Sequence, residues 1–181
     1  ANPSSRFQYT AYSDITRPGA SELDADKGSY PQDILDLYTK TPPFPDRVKE
    51  LALTITRDAE GGYRKAMAVE TYLKKSYLYT LSPKRDSSLL PLDDFLFKSR
   101  EGYCDHFSTA MALLLREVGI PSRLVTGYMT SEWNDLGRFY TVRQRNAHSW
   151  VEVYFPSYGW FSFDPTPPVT SLKEEFVSSA L

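Results

Sequence analysis

Apolar residues recur at three- and four-residue steps through 102–119 (GYCDHFSTAMALLLREVG), where Phe107, Met111, Leu114, Leu115 and Val118 share one helical face. That spacing predicts a helix with one side buried. Two more stripes precede it. Val48, Leu51, Ala52 and Ile55 predict a helix over 47–57, bounded upstream by Pro42, Pro43 and Pro45 and N-capped by Asp46. Ala66, Val69, Tyr72 and Leu73 predict a second over 63–76, set apart by Gly61 and Gly62. Residues 77–81 read as a short strand and 82–91 as a loop. Phe95, Leu96 and Phe97 form an apolar anchor ahead of the third helix.

Beyond that helix the period changes to two. Strands are predicted over 121–130, 138–145, 148–155 and 159–163, separated by turn-rich links at 134–137, 146–147 and 156–159. In HSWVEVYF, His148, Trp150 and Glu152 fall on one side and Val151, Val153 and Phe155 on the other. Helices followed by consecutive strands imply an α+β domain, its helices packed on an antiparallel β-sheet. At the N-terminus Phe7, Tyr9 and Ala11 alternate with polar residues as a short strand, and SELDADKGS reads as a polar connector. The chain thus divides into 1–28, the strand and linker at the tail of a preceding element, a main domain over 29–165, and a C-terminal linker over 166–181.

Composition narrows the classes. With 181 residues, 41% of them hydrophobic, the chain holds one ordinary domain with enough apolar mass for a core. No apolar run reaches the roughly 18–20 residues of a membrane span, and no signal peptide is read. The first residue is not methionine, as in a piece of a longer protein. A net charge of −2 with mixed signs argues against a nucleic-acid or membrane-surface binder. One cysteine excludes an internal disulfide and a thiolate metal cage, and two histidines leave little for zinc. No metal or other cofactor is expected.

The chemistry centres on Cys104, in the first turn of the predicted helix. Unpaired N–H groups and the positive end of the helix dipole there favour a thiolate. Such surroundings bring a thiol from roughly 8.5 down into the range of about 3.5–7.5. A free cysteine is also a common buried small hydrophobe, so a base decides between the readings. His148 opens a strand 44 residues later, and Asp164 ends the next strand, a further 16 on. If residues 155 and 160 flank the turn, His148 lies opposite 167 and Asp164 within a few residues, a bulge or short slip closing the rest. The layout can bring thiol, imidazole and carboxylate together, as a Cys–His–Asp triad requires. Plainer roles stay open: a solvated histidine at a strand start and a turn aspartate before Pro165. His106 reads as a structural contact at the helix start, Tyr103 as a lining or packing residue, and Trp133 as a candidate substrate rim. Trp150 and Trp160 fit the sheet core.

The segments GYCDHFSTAMALLLREVGIPSRLVTGY and RNAHSWVEVYFPSYGWFSFDPT, in that order, resemble the bacterial transglutaminase-like superfamily. The upstream helical half (PPFPDRVKELALTIT and MAVETYLKKSYLYTLSP) is similar too, so the likeness runs from about 30 to 165. It is strongest to the branch found as extracytoplasmic domains of multi-spanning bacterial membrane proteins. The resemblance implies a papain-like core, with Cys104 as nucleophile, His148 as base and Asp164 as the orienting acid. It implies acyl transfer through a cysteine thioester, on a protein or peptide substrate with a glutamine or amide donor. The acceptor is an amine in a transglutaminase and water in a cysteine protease or amidase; a non-enzymatic scaffold of the same fold is the third alternative. It further implies a periplasmic or cell-surface location, with a membrane tether supplied by flanking segments outside this chain. The animal enzymes' tryptophan oxyanion donor has no counterpart upstream of Cys104, since the first tryptophan is Trp133. No loop has calcium-ligand spacing, so no calcium requirement is expected.

Overall fold

The computed structural model describes Thr10, residues 17–130 and residues 132–168. The strand expected around 7–11 and the end of the C-terminal linker lie outside the described residues, Thr10 apart. Part of the expected polar connector is helical: α1 (Ala20–Ala25) lays Leu23, 2% exposed, against the main body, and residues 26–29 follow without helix or strand. A further short helix, α2 (Gln32–Tyr38), follows. Polar composition concealed α1, because a six-residue helix needs only one buried anchor.

The two amphipathic stripes form α3 (Asp46–Ile55) and α4 (Gly61–Ser76). Pro45, not Asp46, takes the N-cap position of α3. Asp46 begins the helix itself, where its charge favours the positive end of the dipole without a side-chain cap. Val48 and Ala52 of α3 and Ala66, Val69 and Leu73 of α4 are fully buried, as the periodicity requires. Strand β1 (Leu78–Tyr79) pairs in parallel with β2 (Glu101–Gly102). Between them α5 (Pro91–Asp94) runs into a π-helical turn, Phe95–Ser99, that buries Phe95 and Leu96. Arg47 forms an ion pair with the buried Asp93, fastening α3 to α5.

Helix α6 (Cys104–Glu117) is the centre of the core. Phe107, Ala110, Met111, Leu114 and Leu115 are all fully buried. It ends in a Schellman pair: Ile120 N–H donates to Leu115 O at 2.9 Å and Gly119 N–H to Arg116 O at 3.0 Å. Ser122 Oγ then donates to Ala112 O at 2.8 Å, and Arg116 donates to Ser122 O, so the chain reverses into a strand held against the helix.

That strand, β3 (Ser122–Tyr128), joins β6 (Ala147–Phe155) and β7 (Gly159–Phe163) in an antiparallel sheet of order β3-β6-β7. Four strands were predicted for this region, but the sheet takes three. The missing one shortens to β5 (Phe139–Thr141) and pairs with β4 (Glu132–Asn134) as a separate hairpin. Trp133 and Tyr140 pack on each other at 4.8 Å, and Glu132 pairs with both Arg143 and Arg145. Local pairing satisfied this stretch without the main sheet.

On β6 the predicted alternation holds: Val151, Val153 and Phe155 are buried against α6, while His148, Trp150 and Glu152 face away. Trp150 and Trp160 therefore sit on the outer face, not in the core as expected. Trp160 is covered there by Tyr38 of α2 at 4.6 Å, by Tyr154 at 5.2 Å and by the Arg123 guanidinium at 4.1 Å. Aromatic rings half-covered by a peripheral helix and an arginine need no core position.

Replacing Leu114 by Ala should cost about 2–5 kcal/mol of unfolding free energy in urea, since its side chain is fully buried in the core. Leu136, 100% exposed in the β4–β5 turn, should change it by less than about 0.5 kcal/mol on the same substitution.

Candidate active site

Cys104 is the first residue of α6, where backbone N–H groups have no acceptor within the helix. Its approach is fixed by the β1–β2 pairing, in which Tyr79 stands beside Gly102 and Thr80 N–H donates to Gly102 O at 2.8 Å. Tyr103 O accepts from His106 N–H at 2.8 Å, and Tyr103 N–H donates to His106 Nδ1 at 3.4 Å. The His106 ring packs on Tyr103 at 4.4 Å and on Phe95 at 5.7 Å. His106 is thus a structural contact at the helix start, as its spacing suggested.

His148 is the second residue of β6, opposite Gly127 of β3. Its Nε2 lies 2.8 Å from Asp164 Oδ2. The other carboxylate oxygen of Asp164 accepts the Thr166 N–H at 3.0 Å. Asp164 is therefore both a turn residue and the histidine's partner; the two readings of it are compatible.

The expected register misses by one residue. Phe155 pairs with Gly159, not with residue 160, and the ladder runs on to Val151↔Phe163. One step further, Asp164 stands beside Trp150, on the face that carries His148. The anticipated register would have put the carboxylate on the opposite face, because strand side chains alternate with period two. A three-residue turn makes the difference. Tyr158 N–H donates to Phe155 O at 3.0 Å, and Gly159 closes the hairpin at φ +76°, a conformation that disfavours a side chain. No bulge or slip is needed. Trp150 stacks beside the imidazole, ring centres 6.4 Å apart, and passes over Gly127, where a Cβ would come within 2.9 Å of the indole.

Cys104 and His148 line one cavity of about 500 Å³, with Asp105, Thr126 and Tyr128 also on its wall. The structure thus gathers all three predicted residues at one end of the sheet: Cys104 and His148 on the cavity wall, Asp164 behind the ring. Two residues not anticipated complete it. Asp105 Oδ1 accepts from Cys104 Sγ at 3.8 Å and from the Ser149 hydroxyl. Ser149 is buried on the side of β6 that faces α6, so this bond fastens the first turn of the helix to the strand. The signal lay in the alternation: if His148 faces out, Ser149 must face the helix. Tyr79 is a third neighbour. Burial raises its hydroxyl above the usual tyrosine range, and the adjacent Cys104 and Asp105 add to that rise. Tyr103 both lines the cavity and packs, whereas Trp133 lies on the separate hairpin and packs on Tyr140.

A helix presenting a cysteine to a histidine–aspartate pair on an antiparallel sheet defines a class of cysteine-centred α+β proteins. The transglutaminase-like superfamily model matches residues 49–165, and the chain belongs to that superfamily. Among curated relatives, the uncharacterized protein YebA of Bacillus subtilis is 42% identical over 163 residues, 84% of this chain and 22% of that protein. A protein-glutamine gamma-glutamyltransferase of Pseudomonas aeruginosa is 43% identical over 110 residues, 61% of this chain and 16% of that one. The chain thus spans about a fifth or less of the length of these two relatives. Among solved structures, the periplasmic domain of TgpA from Pseudomonas aeruginosa has a TM-score of 0.67 at 34% identity, over 76% of this chain and 48% of that one. A putative cysteine protease from Cytophaga hutchinsonii shares the fold, with a TM-score of 0.55 at 23% identity over 76% of this chain and 43% of that one. Among the described residues no helix is long and apolar enough to cross a membrane.

Burial holds the His106 imidazole below the ordinary histidine range, against the opposing pull of the Asp105 and Asp94 carboxylates. The unfolded chain then takes up the proton first on acidification. Stability present above about pH 6.5 is lost as pH falls through the folded value. His106→Asn keeps an acceptor for Tyr103 N–H but no titrating ring. Its unfolding free energy should fall less than that of the wild type between about pH 7.5 and about pH 5.5, measured by urea titration.

Proposed function

We propose that this domain transfers acyl groups through a thioester on Cys104, as a protein-glutamine gamma-glutamyltransferase. The observation that carries the proposal is the His148 Nε2–Asp164 Oδ2 pair at 2.8 Å, beside a cavity that also holds Cys104. Since Asp164 engages Nε2, the ring nitrogen left to exchange a proton with the thiol is Nδ1. His148 takes the Cys104 proton through Nδ1, and Asp164 stabilises the resulting imidazolium. The thiolate adds to the carboxamide carbon of a substrate glutamine. The oxyanion meets the Cys104 N–H, a donor free of intrahelical bonding at the start of α6. The imidazolium returns its proton to the departing nitrogen, ammonia leaves and the thioester remains. An acceptor amine then adds to the thioester carbon, gives a proton to His148 and expels the sulfur, which is reprotonated.

The gamma-glutamyltransferase relative supports this choice of donor and acceptor, and the periplasmic TgpA domain supports an extracytoplasmic setting with a membrane tether outside this chain. Hydrolysis, with water resolving the same thioester, is the second reading. The exposure of the site favours it: the Asp164 side chain is 43% exposed and Tyr128 59% exposed, so water reaches the carboxylate and the cavity wall.

The test is incubation with a glutamine-bearing protein and a tagged primary amine. Wild-type protein should transfer the label, Cys104→Ala should transfer none, and Asp164→Asn should slow transfer by at least about a hundredfold. Cleavage or deamidation without label supports the hydrolase. Neither product, from protein with native circular dichroism, would leave a non-enzymatic scaffold.

A further inference from the structure

Asp105 follows the nucleophile directly, yet an anion there is poorly placed for the first half of the reaction. Its carboxylate lies 3.8 Å from the sulfur, where it opposes both thiolate and oxyanion. A carboxylate in that position is useful at a later stage, when a cation must approach the thioester. Asp105 is exposed, and both of its contacts, from Cys104 and from Ser149, fall on one oxygen, Oδ1. Among the described residues, no lysine or arginine lines the Cys104 cavity. Asp105 also lines a second, smaller cleft of about 200 Å³, which shares Tyr103 and Asp105 with the first and is otherwise walled by Pro91, Leu92 and Phe95 together with His106 and Thr109. Around Asp105 the two therefore present one negative charge beside the sulfur and, in the second cleft, an apolar wall of Pro91, Leu92 and Phe95 along which an alkyl stem can lie.

We infer that Asp105 recognises the acceptor as a primary ammonium, with the acceptor's alkyl stem lying along the Leu92–Phe95 cleft. The chemistry selected is that of a lysine side chain or another unbranched alkylamine. This deepens the acyl-transfer reading and rests on it. Once the thioester has formed, the ammonium gives one proton to solvent by way of the exposed carboxylate, and the neutral amine adds to the thioester carbon. The C–S bond breaks as the amide C–N bond is made. The second proton passes through His148 to the sulfur, leaving an amide and a free thiol.

The experiment is a competition for one thioester between cadaverine, cationic at neutral pH, and hydroxylamine, uncharged there. Both nucleophiles consume the same intermediate, so the product ratio is independent of the rate of acylation and of the fraction of protein folded. Asp105→Asn should lower the ratio of cadaverine amide to hydroxamate by about three- to tenfold, the scale of an exposed charge-assisted contact. Asp105→Glu, which retains the charge, should keep most of the preference. In the wild type the same ratio should rise from methylamine to pentylamine as the stem fills the cleft. Hydroxamate formation with a ratio unmoved in Asp105→Asn would overturn the role of Asp105 alone. Wild-type protein that forms no Cys104-dependent hydroxamate would overturn the acyl-transfer reading itself, and this one with it.

Discussion

The antiparallel register of β6 on β7 is the constraint on which the candidate site depends. Phe155 opposite Gly159 sets every later pair, and through them the side of the sheet on which Asp164 emerges. A strand has only two faces, so a shift of one residue would turn the carboxylate away from His148 instead of merely lengthening the contact. The three-residue turn enforces the choice through a backbone hydrogen bond and a glycine at positive φ. Local backbone geometry at one end of the hairpin thus governs an imidazole–carboxylate bond at the other.

Helix α6 supplies the second half of the geometry. Its buried face packs on Val151, Val153 and Phe155, and its two ends are tied to the sheet by different means. At the C-terminal end, the Schellman turn and the bonds of Ser122 and Arg116 fix where β3 begins. At the N-terminal end, Asp105 receives the buried Ser149 hydroxyl. A rigid rod held at both ends delivers Cys104 to the strand that carries His148. Neighbouring residues of β6 divide the work: His148 faces Asp164, and Ser149 faces the helix.

The outer face of the sheet is sheltered more lightly. Trp150 leans beside His148, while Trp160 is closed over by Tyr38, Tyr154 and Arg123. The imidazole is consequently well covered, with 17% of its side chain exposed, whereas its carboxylate partner remains largely in contact with water. Such a site combines a well-covered imidazole with a water-exposed carboxylate beside a cavity of about 500 Å³.

Much of this was legible from the amino-acid sequence. The stripes of α3, α4 and α6 and the alternation in β6 follow from local periodicity, because helix and strand periods are imposed by the backbone alone. Spacing offered Cys104, His148 and Asp164 only as candidates beside plainer roles, and it was the resemblance to the transglutaminase-like superfamily that singled them out. Other features followed from contacts between distant segments. Leu23 turned a polar stretch into a docked helix, the 139–141 strand found a partner in 132–134 instead of the main sheet, and both tryptophans settled on the outer face. Alternation turns Ser149 toward the helix, but its partner Asp105 lies 44 positions away, so the bond itself is made only by the tertiary structure. Periodicity tells which residues share a face; which face meets which, and in what register, is decided only when the helix and the sheet close on each other and each buried polar group must find its partner.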